Sequence, residues 1–268
     1  MEPINKIICG DVLDTLRTFL NKSVHLVITS PPYNLNKEYS NHNDSMNYDA
    51  YLNWMKDVWA EVERILVVGG RLCINIGENK RQDITYPTYS AFMHQCIDLG
   101  MLYRGTIIWN KNNAANHCAW GSWNSCSNPH VVPRHEYILA FSKGQWRLDG
   151  ESKNCDLNKD EFMQYTRSIW TFAPESKKII GHPAPFPEEL PRRLIKFYSY
   201  KGNIVLDPFC GSGTTCLAAK NLNRNYIGID NSMEYCQLSN KRLNPEKEDL
   251  KIFELGESLN SDDMEAAL

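Results

Sequence analysis

Two short stretches of the sequence combine residue types that can do chemistry, and the first is Ser30-Pro31-Pro32-Tyr33. It follows an apolar run, Val24–Thr29, which is typical of a buried strand. Because prolines stop strand pairing and carry no N–H group, we expect the backbone carbonyls of this turn to be free to accept hydrogen bonds from a ligand. The serine adds a side-chain acceptor and the tyrosine adds an aromatic face. The alternative is a strand that ends at prolines, with its tyrosine packed in the core.

Acceptors of this kind suit the amino group of a nucleic-acid base. The lone pair of that amine is delocalised into the ring, which makes the amine a poor nucleophile. Two acceptors that hold its two hydrogens favour the pyramidal form, whose lone pair can attack a methyl group. The ring of Tyr33 can stack on a base that has been taken out of the duplex.

The second stretch covers residues 203–215, NIVLDPFCGSGTT, and has the pattern of a strand, a glycine-rich turn and the start of a helix. Gly211 and Gly213 let a ligand approach the backbone closely, and Thr214 begins a helix whose N-terminal amides face the turn. About twenty residues further on, a second strand ends at Asp230, whose carboxylate can accept hydrogen bonds from ribose hydroxyls. This pattern indicates a nucleoside site. A strand-turn-helix corner without a ligand is the alternative.

The spacing of the glycines bears on the kind of cofactor. The third glycine of the dinucleotide fingerprint is missing, since Gly213 is followed by Thr214, Thr215 and Cys216. A cofactor with one nucleoside and no pyrophosphate therefore fits better, and S-adenosylmethionine is the leading candidate. The same spacing disfavours an NAD-dependent oxidoreductase.

Alternating strands and helices must position these two stretches. Apolar, β-branched runs predict strands at Lys6–Cys9, Val24–Thr29, Arg71–Ile76, Leu102–Trp109, Tyr137–Phe141, Ile204–Leu206 and Tyr226–Ile229. Helical spacing of apolar residues predicts helices at Tyr48–Leu66, Thr88–Leu99, Glu188–Tyr198, Thr214–Leu222 and Met233–Leu243, and a short helix can form near Asp160–Tyr165. The alternation predicts a parallel sheet covered on both faces. The runs at 102–109 and 137–141 are closer to a long hairpin.

The composition limits the class of protein. A chain of 268 residues fits one large domain, or one domain with a sizeable insertion. Its net charge of −3 is not that of a protein that coats nucleic acid, although between residues 101 and 150 five basic residues outnumber two acidic ones. We expect no membrane span and no signal peptide, and therefore a cytoplasmic protein whose nine cysteines are reduced.

Together the two stretches resemble the amino-methyltransferase family of DNA methyltransferases. That family carries a [DNS]PP[YFW] catalytic tetrad and a DPFxGSGTT-like cofactor motif, which stand here as residues 30–33 and 207–215. The catalytic motif comes first, which resembles the circularly permuted β-class. The resemblance extends from about Ile7 to Leu243. It implies a Rossmann-like α/β methyltransferase fold, a seven-stranded, mostly parallel sheet with one antiparallel strand, S-adenosylmethionine as cofactor and double-stranded DNA as substrate.

The resemblance also implies roles for single residues. Ser30, Pro31, Pro32 and Tyr33 would be catalytic. Asp11, in Cys9-Gly-Asp11, would meet the adenine of the cofactor, and Asp230 its ribose. His182 and Phe186, in the run HPAPFP at 182–187, belong to a motif that closes over the methionine end. The rest of the cofactor site would be lined by Asp207, Phe209, Gly211, Ser212, Gly213 and Thr214.

Target recognition in this class lies between the two motifs. We expect a catalytic domain at 1–244 with a target-recognition insertion at about 112–181, followed by an acidic tail at 245–268 whose end is disordered. The residues predicted to contact DNA are Lys111, Trp120, Ser122, Trp123, Asn124 and Arg134. For any one of the loop residues the alternative is an ordinary loop packed by its tryptophans.

A metal site is not expected. The segment 117–135 contains His117, Cys118, Cys126, His130 and His135, but zinc sites usually show closely paired cysteines. Cys210 lies beside the glycine-rich turn, where we expect a small buried residue, because the amine attacks directly and needs no thiolate.

The sequence alone does not decide which base is methylated or which partners the protein has. Ser30 in the first tetrad position favours N4 of cytosine within this family, whereas aspartate there favours N6 of adenine; RNA is a lesser alternative. A non-catalytic nucleic-acid-binding module would predict a damaged tetrad or turn, and both are intact. Members of the class are often dimers, so a homodimer is one expectation. A separately encoded restriction endonuclease, in a bacterium or archaeon, is another.

Overall fold

The fold centres on one sheet of eight strands, in a computed structural model that describes residues 3–33, 38–39, 42–43, 46–81, 84–111, 121–131, 133–174 and 187–245. The strands are β1 (Lys6–Cys9), β2 (Val24–Thr29), β3 (Glu38–Tyr39), β4 (His42–Asn43), β5 (Leu66–Ile76), β6 (Asn79–Arg81), β7 (Ile84–Tyr86), β8 (Leu102–Asn110), β9 (His135–Ser142), β10 (Ile169–Thr171), β11 (Ile204–Asp207) and β12 (Asn225–Asp230). The helices are α1 (Val12–Arg17), α2 (Tyr48–Ile65), α3 (Thr88–Asp98), α4 (Lys159–Tyr165), α5 (Glu189–Tyr198), α6 (Thr214–Asn221) and α7 (Met233–Leu243).

The main sheet has the order β1-β12-β11-β2-β5-β9-β8-β10. β9 runs antiparallel to both of its neighbours, β5 and β8, and the other pairs of this sheet are parallel. The predicted α/β sheet with one reversed strand is confirmed, and so is the hairpin of β8 and β9. β10 is an eighth strand that the sequence did not predict, because three residues are too few to show an alternating pattern. β3–β4 and β6–β7 form two small separate hairpins.

Most predicted elements lie where the patterns placed them. Two differences have local causes. β5 begins directly after α2 at Leu66 and not at Arg71, since Gly69 and Gly70 interrupt the apolar run that predicts a strand. α1 was not predicted, because its six residues make less than two turns, too short for a clear helical period.

Apolar side chains cover both faces of the sheet. Alternate residues of a strand point to opposite faces, and in β2 Val27 joins one buried cluster while Leu26 and Ile28 join the other. α1, α2 and α3 pack over the first face, where Trp59 and Phe92 are fully buried. α4, α5 and α6 pack over the second. Across the described ranges, no helix is both long enough and apolar enough to cross a membrane.

One buried carboxylate connects two neighbouring strands at their carboxyl ends. Asp207, the last residue of β11, is 1% exposed and accepts hydrogen bonds from the hydroxyl of Thr29 at 2.9 Å and from the hydroxyl of Thr215 at 2.7 Å. The backbone N–H of Phe209 also donates to it, at 3.1 Å. Thr29 ends β2 and Thr215 lies in the first turn of α6. A single side chain therefore holds β2, β11 and α6 in fixed relative positions.

Burial raises the pKa of Asp207 from 3.8 to about 6, although its three hydrogen bonds act in the opposite direction. The unfolded chain has no such burial, so its Asp207 keeps an ordinary pKa. Between the two pKa values the folded protein holds a proton that the unfolded chain has lost. Asp207 therefore stabilises the fold less as the pH rises through this window.

The measured quantity is the difference between the free energies of unfolding of the native protein and of Asp207→Asn. We predict that this difference, native minus variant, falls by about 3 kcal/mol between about pH 4 and pH 7. The reason is that asparagine does not titrate, so the difference isolates the carboxyl group. Urea unfolding at successive pH values measures it. The control is Asp149→Asn, which makes the same chemical change at a side chain that is 83% exposed. Parallel stability curves for the native protein and Asp207→Asn would contradict the prediction.

Candidate active site

The two chemical stretches meet at one edge of the sheet. β2 and β11 are adjacent parallel strands, in which Val27 pairs with Leu206. The turn at residues 30–33 follows β2 and the glycine-rich turn follows β11, so both turns lie at carboxyl ends. Thr29 and Asp207, which are 178 residues apart in the chain, are joined there by a hydrogen bond. Ligands of open parallel sheets bind at such carboxyl ends.

The Ser30–Tyr33 turn is held by hydrogen bonds within the protein. Pro31 is buried, and Ser30 and Tyr33 are half-buried. The Ser30 hydroxyl donates to the Tyr33 hydroxyl oxygen at 3.2 Å. The hydroxyl of Tyr51, in α2, donates to the Pro32 carbonyl at 2.7 Å. The Pro32 carbonyl was expected to be free for a ligand, but a helix from another part of the chain supplies it with one donor, so it has a single lone pair left.

The Tyr33 hydroxyl lies beside an acidic residue that the sequence did not single out, Glu136 in β9. Burial raises the pKa of Tyr33 well above its usual value. The charge of Glu136 and a hydrogen bond between the two side chains raise it further, while the bond from Ser30 lowers it. The Tyr33 phenol therefore keeps its proton and can serve as a hydrogen-bond donor.

Two donors hold the Glu136 carboxylate in place. Lys111 Nζ lies 2.5 Å from Oε1, and Asn75 Nδ2 lies 2.6 Å from Oε2. Asn75 belongs to β5 and is 2% exposed. Lys111 was predicted to contact DNA, and the structure places its ammonium group in this ion pair, 5.2 Å from the centre of the Trp109 ring. A DNA contact of Lys111 stays a prediction.

The glycine-rich turn is braced by α7. Gly211 has φ +49° and Gly213 has φ +78°, a left-handed conformation that glycine adopts without strain. The Ser239 hydroxyl donates to the Gly211 carbonyl at 2.6 Å. Arg242 donates to the carbonyl of Ser212 at 2.6 Å and to its hydroxyl at 3.0 Å. The sequence did not reveal these contacts, although the two bracing residues are three apart and so share one face of the helix.

Asp230 lies at the end of β12, beside the glycine-rich turn, and its predicted contact with a ribose stays a prediction. One carboxylate oxygen accepts from the Gly211 N–H and the other from the Ser232 N–H, each at 2.9 Å. Burial raises the pKa of Asp230, and the two backbone hydrogen bonds lower it. Each oxygen of a carboxylate can accept a second hydrogen bond, so these contacts fix the carboxylate and leave it able to bind a hydroxyl.

Asp11 is close to the same edge. Cys9, which ends β1, pairs with Asp230, and the N–H of Gly10 donates to the Asp230 carbonyl at 2.9 Å. The exposed Asp11 side chain caps α1, accepting from the N–H groups of Leu13 at 2.8 Å and Asp14 at 3.1 Å. Its predicted contact with the cofactor adenine is compatible with this position and stays a prediction.

Phe209 and Asp207, both expected to line the cofactor, differ in how deeply they are buried. Phe209 is half-buried and meets the Trp54 ring of α2 edge-on, with ring centres 5.7 Å apart. Trp54 is therefore a candidate neighbour of the cofactor that the sequence missed. Asp207 was expected to line the cofactor, but it is buried among protein donors, which indicates a supporting position. Ser212 and Thr214 are also buried, within the turn.

Part of the predicted site falls outside the described residues, namely His182, Phe186 and Trp120. Ser122, Trp123 and Asn124 lie in the described segment 121–131. The Ser122 hydroxyl accepts from the Asn128 N–H at 2.9 Å, and Trp123 is 81% exposed. Arg134 is exposed, and its carbonyl accepts from the Lys111 N–H at 3.0 Å. This segment therefore presents an aromatic and a polar surface, and its DNA contacts stay predictions.

Among the residues that the structure describes, no group of three or more histidine, cysteine or acidic side chains could hold a metal ion. His117 and Cys118 lie outside those residues. Cys210 is buried, and burial raises the pKa of its thiol well above the usual value. A neutral, buried thiol is the small packed residue that was predicted.

Similar proteins agree on one family. A family model described as DNA methylase, of the N6 and N4 methyltransferases, matches residues 24–241. The Type II methyltransferase M.MjaI of Methanocaldococcus jannaschii is 33% identical, over 86% of this chain and 88% of the relative. The Type II methyltransferase M.HpaI of Haemophilus parainfluenzae is 31% identical, over 90% of this chain and 74% of the relative.

Solved structures show the same fold. TTHA0409 of Thermus thermophilus, assigned as a DNA modification methylase, has a TM-score of 0.72 at 33% identity, covering 89% of this chain and 94% of that chain. The cytosine-N4-specific PvuII DNA methyltransferase has a TM-score of 0.71 at 22% identity, covering 92% and 89%, and shares the fold alone. The family model, the relatives and the placement of both motifs at one sheet edge lead to the same conclusion: this chain belongs to the DNA methylase family of N6 and N4 amino-methyltransferases.

Proposed function

We propose that the chain transfers a methyl group from S-adenosylmethionine to N4 of cytosine in double-stranded DNA, at a base taken out of the duplex and held by residues 30–33. The observation that carries the proposal is the meeting of the Ser30–Tyr33 turn with the glycine-rich turn at adjacent strand ends. Methyl transfer needs an amine and a methyl donor side by side. The two turns provide a place for each.

The residues at the glycine-rich turn fit S-adenosylmethionine. When bound, this cofactor supplies a methyl group on a positively charged sulfur. The fixed Asp230 carboxylate would hold the ribose, and Phe209 with Trp54 would pack against apolar parts of the cofactor. A structure of TTHA0409, which is 32% identical with a TM-score of 0.71, was solved in complex with S-adenosyl-L-methionine. That relative supports the choice of cofactor for this chain.

The catalytic turn would act through hydrogen-bond acceptors. Because Ser30 donates its single hydrogen to Tyr33, the serine oxygen keeps its lone pairs for the target amine. The Pro31 carbonyl would be the second acceptor, and the Pro32 carbonyl, which already accepts one hydrogen bond from Tyr51, keeps a single lone pair. With both amine hydrogens held, the nitrogen lone pair turns out of the ring plane toward the methyl group. The Tyr33 ring would stack on the base.

Cytosine is proposed because the first residue of the tetrad is Ser30. Adenine N6 is the second candidate, and the family model includes both amines. Target recognition by Lys111, Arg134 and the exposed Trp123 is part of the proposal. The names of the relatives lead us to propose a Type II system, with a homodimer and a separately encoded endonuclease as predictions.

We predict that the purified protein, given methyl-labelled S-adenosylmethionine and unmethylated genomic DNA, forms N4-methylcytosine, detected by mass spectrometry after digestion to nucleosides. Ser30→Ala should lose about a hundredfold or more in rate, because one acceptor for the amine is removed, while its affinity for the cofactor stays unchanged in calorimetry. Formation of N6-methyladenine instead would show that the target base is adenine and not cytosine. No methylated base from DNA of several sources would refute it.

We predict that Gly213→Ala weakens cofactor binding about tenfold or more. A methyl group at this residue would lie 2.9 Å from Ser239 Cβ, so the turn must move and lose the geometry that holds the ligand. Calorimetric titration with S-adenosylmethionine measures the affinity. The control is Gly202→Ala, which has a similar φ of +80° but nothing within 4 Å of the added atom, and it should bind as the native protein does. Equal affinity of both variants would contradict the prediction.

A further inference from the structure

We propose that Glu136 is a positioning residue, which orients the Ser30 hydroxyl through Tyr33 so that the serine lone pairs face the target amine. The inference rests on the proposed function, since it assigns a further role within the same site. It concerns a side chain of β9, which lies outside both sequence motifs.

Glu136 and Tyr33 converge over Gly77. A Cβ atom added to Gly77 would lie 3.5 Å from Cγ of Glu136 and 3.6 Å from Cε2 of Tyr33. The two side chains therefore lie next to each other over this glycine, which has no side chain to separate them. The charge of Glu136 and a hydrogen-bonding interaction with it both raise the pKa of Tyr33, as expected for a phenol that faces a carboxylate at this place.

The chemistry of these groups fixes the direction of their hydrogen bonds. An ionised carboxylate only accepts, whereas an ammonium group and an amide NH₂ only donate. Lys111 and Asn75 therefore bind Glu136 as donors. Tyr33 must also act as a donor toward Glu136, and a phenol has one hydrogen to give.

Once Tyr33 donates that hydrogen to Glu136, the Tyr33 oxygen can only accept from Ser30. This is the direction of the 3.2 Å bond between the two hydroxyls. Ser30 then donates its own hydrogen to Tyr33, away from the substrate. Both lone pairs of the serine oxygen stay available for the hydrogens of the target amine.

Without an acceptor at Glu136, this short chain of hydroxyls could reverse. Tyr33 would then donate to Ser30 and occupy one of its lone pairs. The serine hydrogen would point toward the amine, where it would meet the hydrogens of that amine. Such a serine could not hold the amine in the form that attacks a methyl group. Glu136 therefore favours the productive direction of this hydrogen bond, in which Ser30 donates to Tyr33.

The position of Glu136 is itself well fixed. Its side chain is 13% exposed, and it is held between Lys111 of the β8 end and the buried Asn75 of β5. Lys111 and Asn75 are both donors, so each of their contacts engages the carboxylate as an acceptor. The contacts come from strands on both sides of β9, so a change in one of them does not release the carboxylate.

The test is a double-mutant cycle with Glu136→Gln and Tyr33→Phe, measured as kcat for DNA methylation. Glutamine keeps the size of the side chain, but its amide can donate to Tyr33 and permit the reversed direction. We expect Glu136→Gln to lower kcat about tenfold to a hundredfold, with the KM for DNA and the Kd for cofactor within about twofold of the native values. In the Tyr33→Phe background it should have no further effect, because the hydroxyl through which it acts is gone.

A matched control is Glu161→Gln in α4. Glu161 is 17% exposed and is paired with Lys196 at 2.5 Å, so it resembles Glu136 in burial and in its lysine partner but lies away from the site. Its kcat should equal that of the native protein. An unchanged kcat for Glu136→Gln, or an equal loss in both backgrounds, would overturn the inference.

A second measurement needs no activity, so it separates this inference from the proposed function. In protein labelled with ¹³C at the tyrosine Cζ atoms, the Tyr33 signal is the one that Tyr33→Phe removes. Because the Glu136 charge raises the pKa of Tyr33, Glu136→Gln should move the titration of this signal to lower pH. No movement would refute the contact even if methylation were observed. A movement without any methylation by the native protein would refute the proposed function alone.

Discussion

The hydrogen bonds of Asp207 to Thr29 and Thr215 set the distance between the two halves of the site. The Ser30–Tyr33 turn, which we propose binds the amine, continues from Thr29, and the glycine-rich turn lies between Asp207 and Thr215. Burying a carboxylate is unfavourable, and the raised pKa of Asp207 reflects that cost. The cost is offset by three donors, and these donors belong to the segments whose spacing matters. Methyl transfer depends on that spacing, since a displacement of about 1 Å can cost about a hundredfold in rate.

The glycine-rich turn is rigid for a second reason. Ser239 and Arg242 hold its carbonyls, and Asp230 holds the N–H of Gly211. Most polar backbone groups of the turn are thus engaged before a ligand arrives. A site that is already ordered loses little conformational entropy on binding. The ligand would therefore meet side chains such as Asp230 at this turn more than bare backbone amides.

The sequence predicted those parts of the protein that depend on local patterns. The positions of β2 and α7, the reversed strand and the two motifs all follow from residue periodicity, from prolines and glycines, or from resemblance. What it missed depends on contacts between distant segments. Tyr51 reaches the Pro32 carbonyl from α2, and Glu136 reaches Tyr33 from β9. No local pattern shows which face of a helix or strand will meet a given turn, and three-residue β10 shows no pattern of its own.

A serine in the first tetrad position creates a requirement that an aspartate does not. A carboxylate has no hydrogen when ionised, so every direction from its oxygens accepts. A hydroxyl also carries a hydrogen, which must point somewhere, and if it points at the amine it opposes the contact that the chemistry needs. In this protein Tyr33 takes that hydrogen, and Glu136 in turn takes the hydrogen of Tyr33. The charge that aspartate would bring directly to the amine is thus located two hydrogen bonds away, where Lys111 balances it. In the proposed mechanism this arrangement gives the neutral acceptor Ser30 a fixed orientation, and it connects the identity of Ser30 to a residue more than one hundred positions later in the chain.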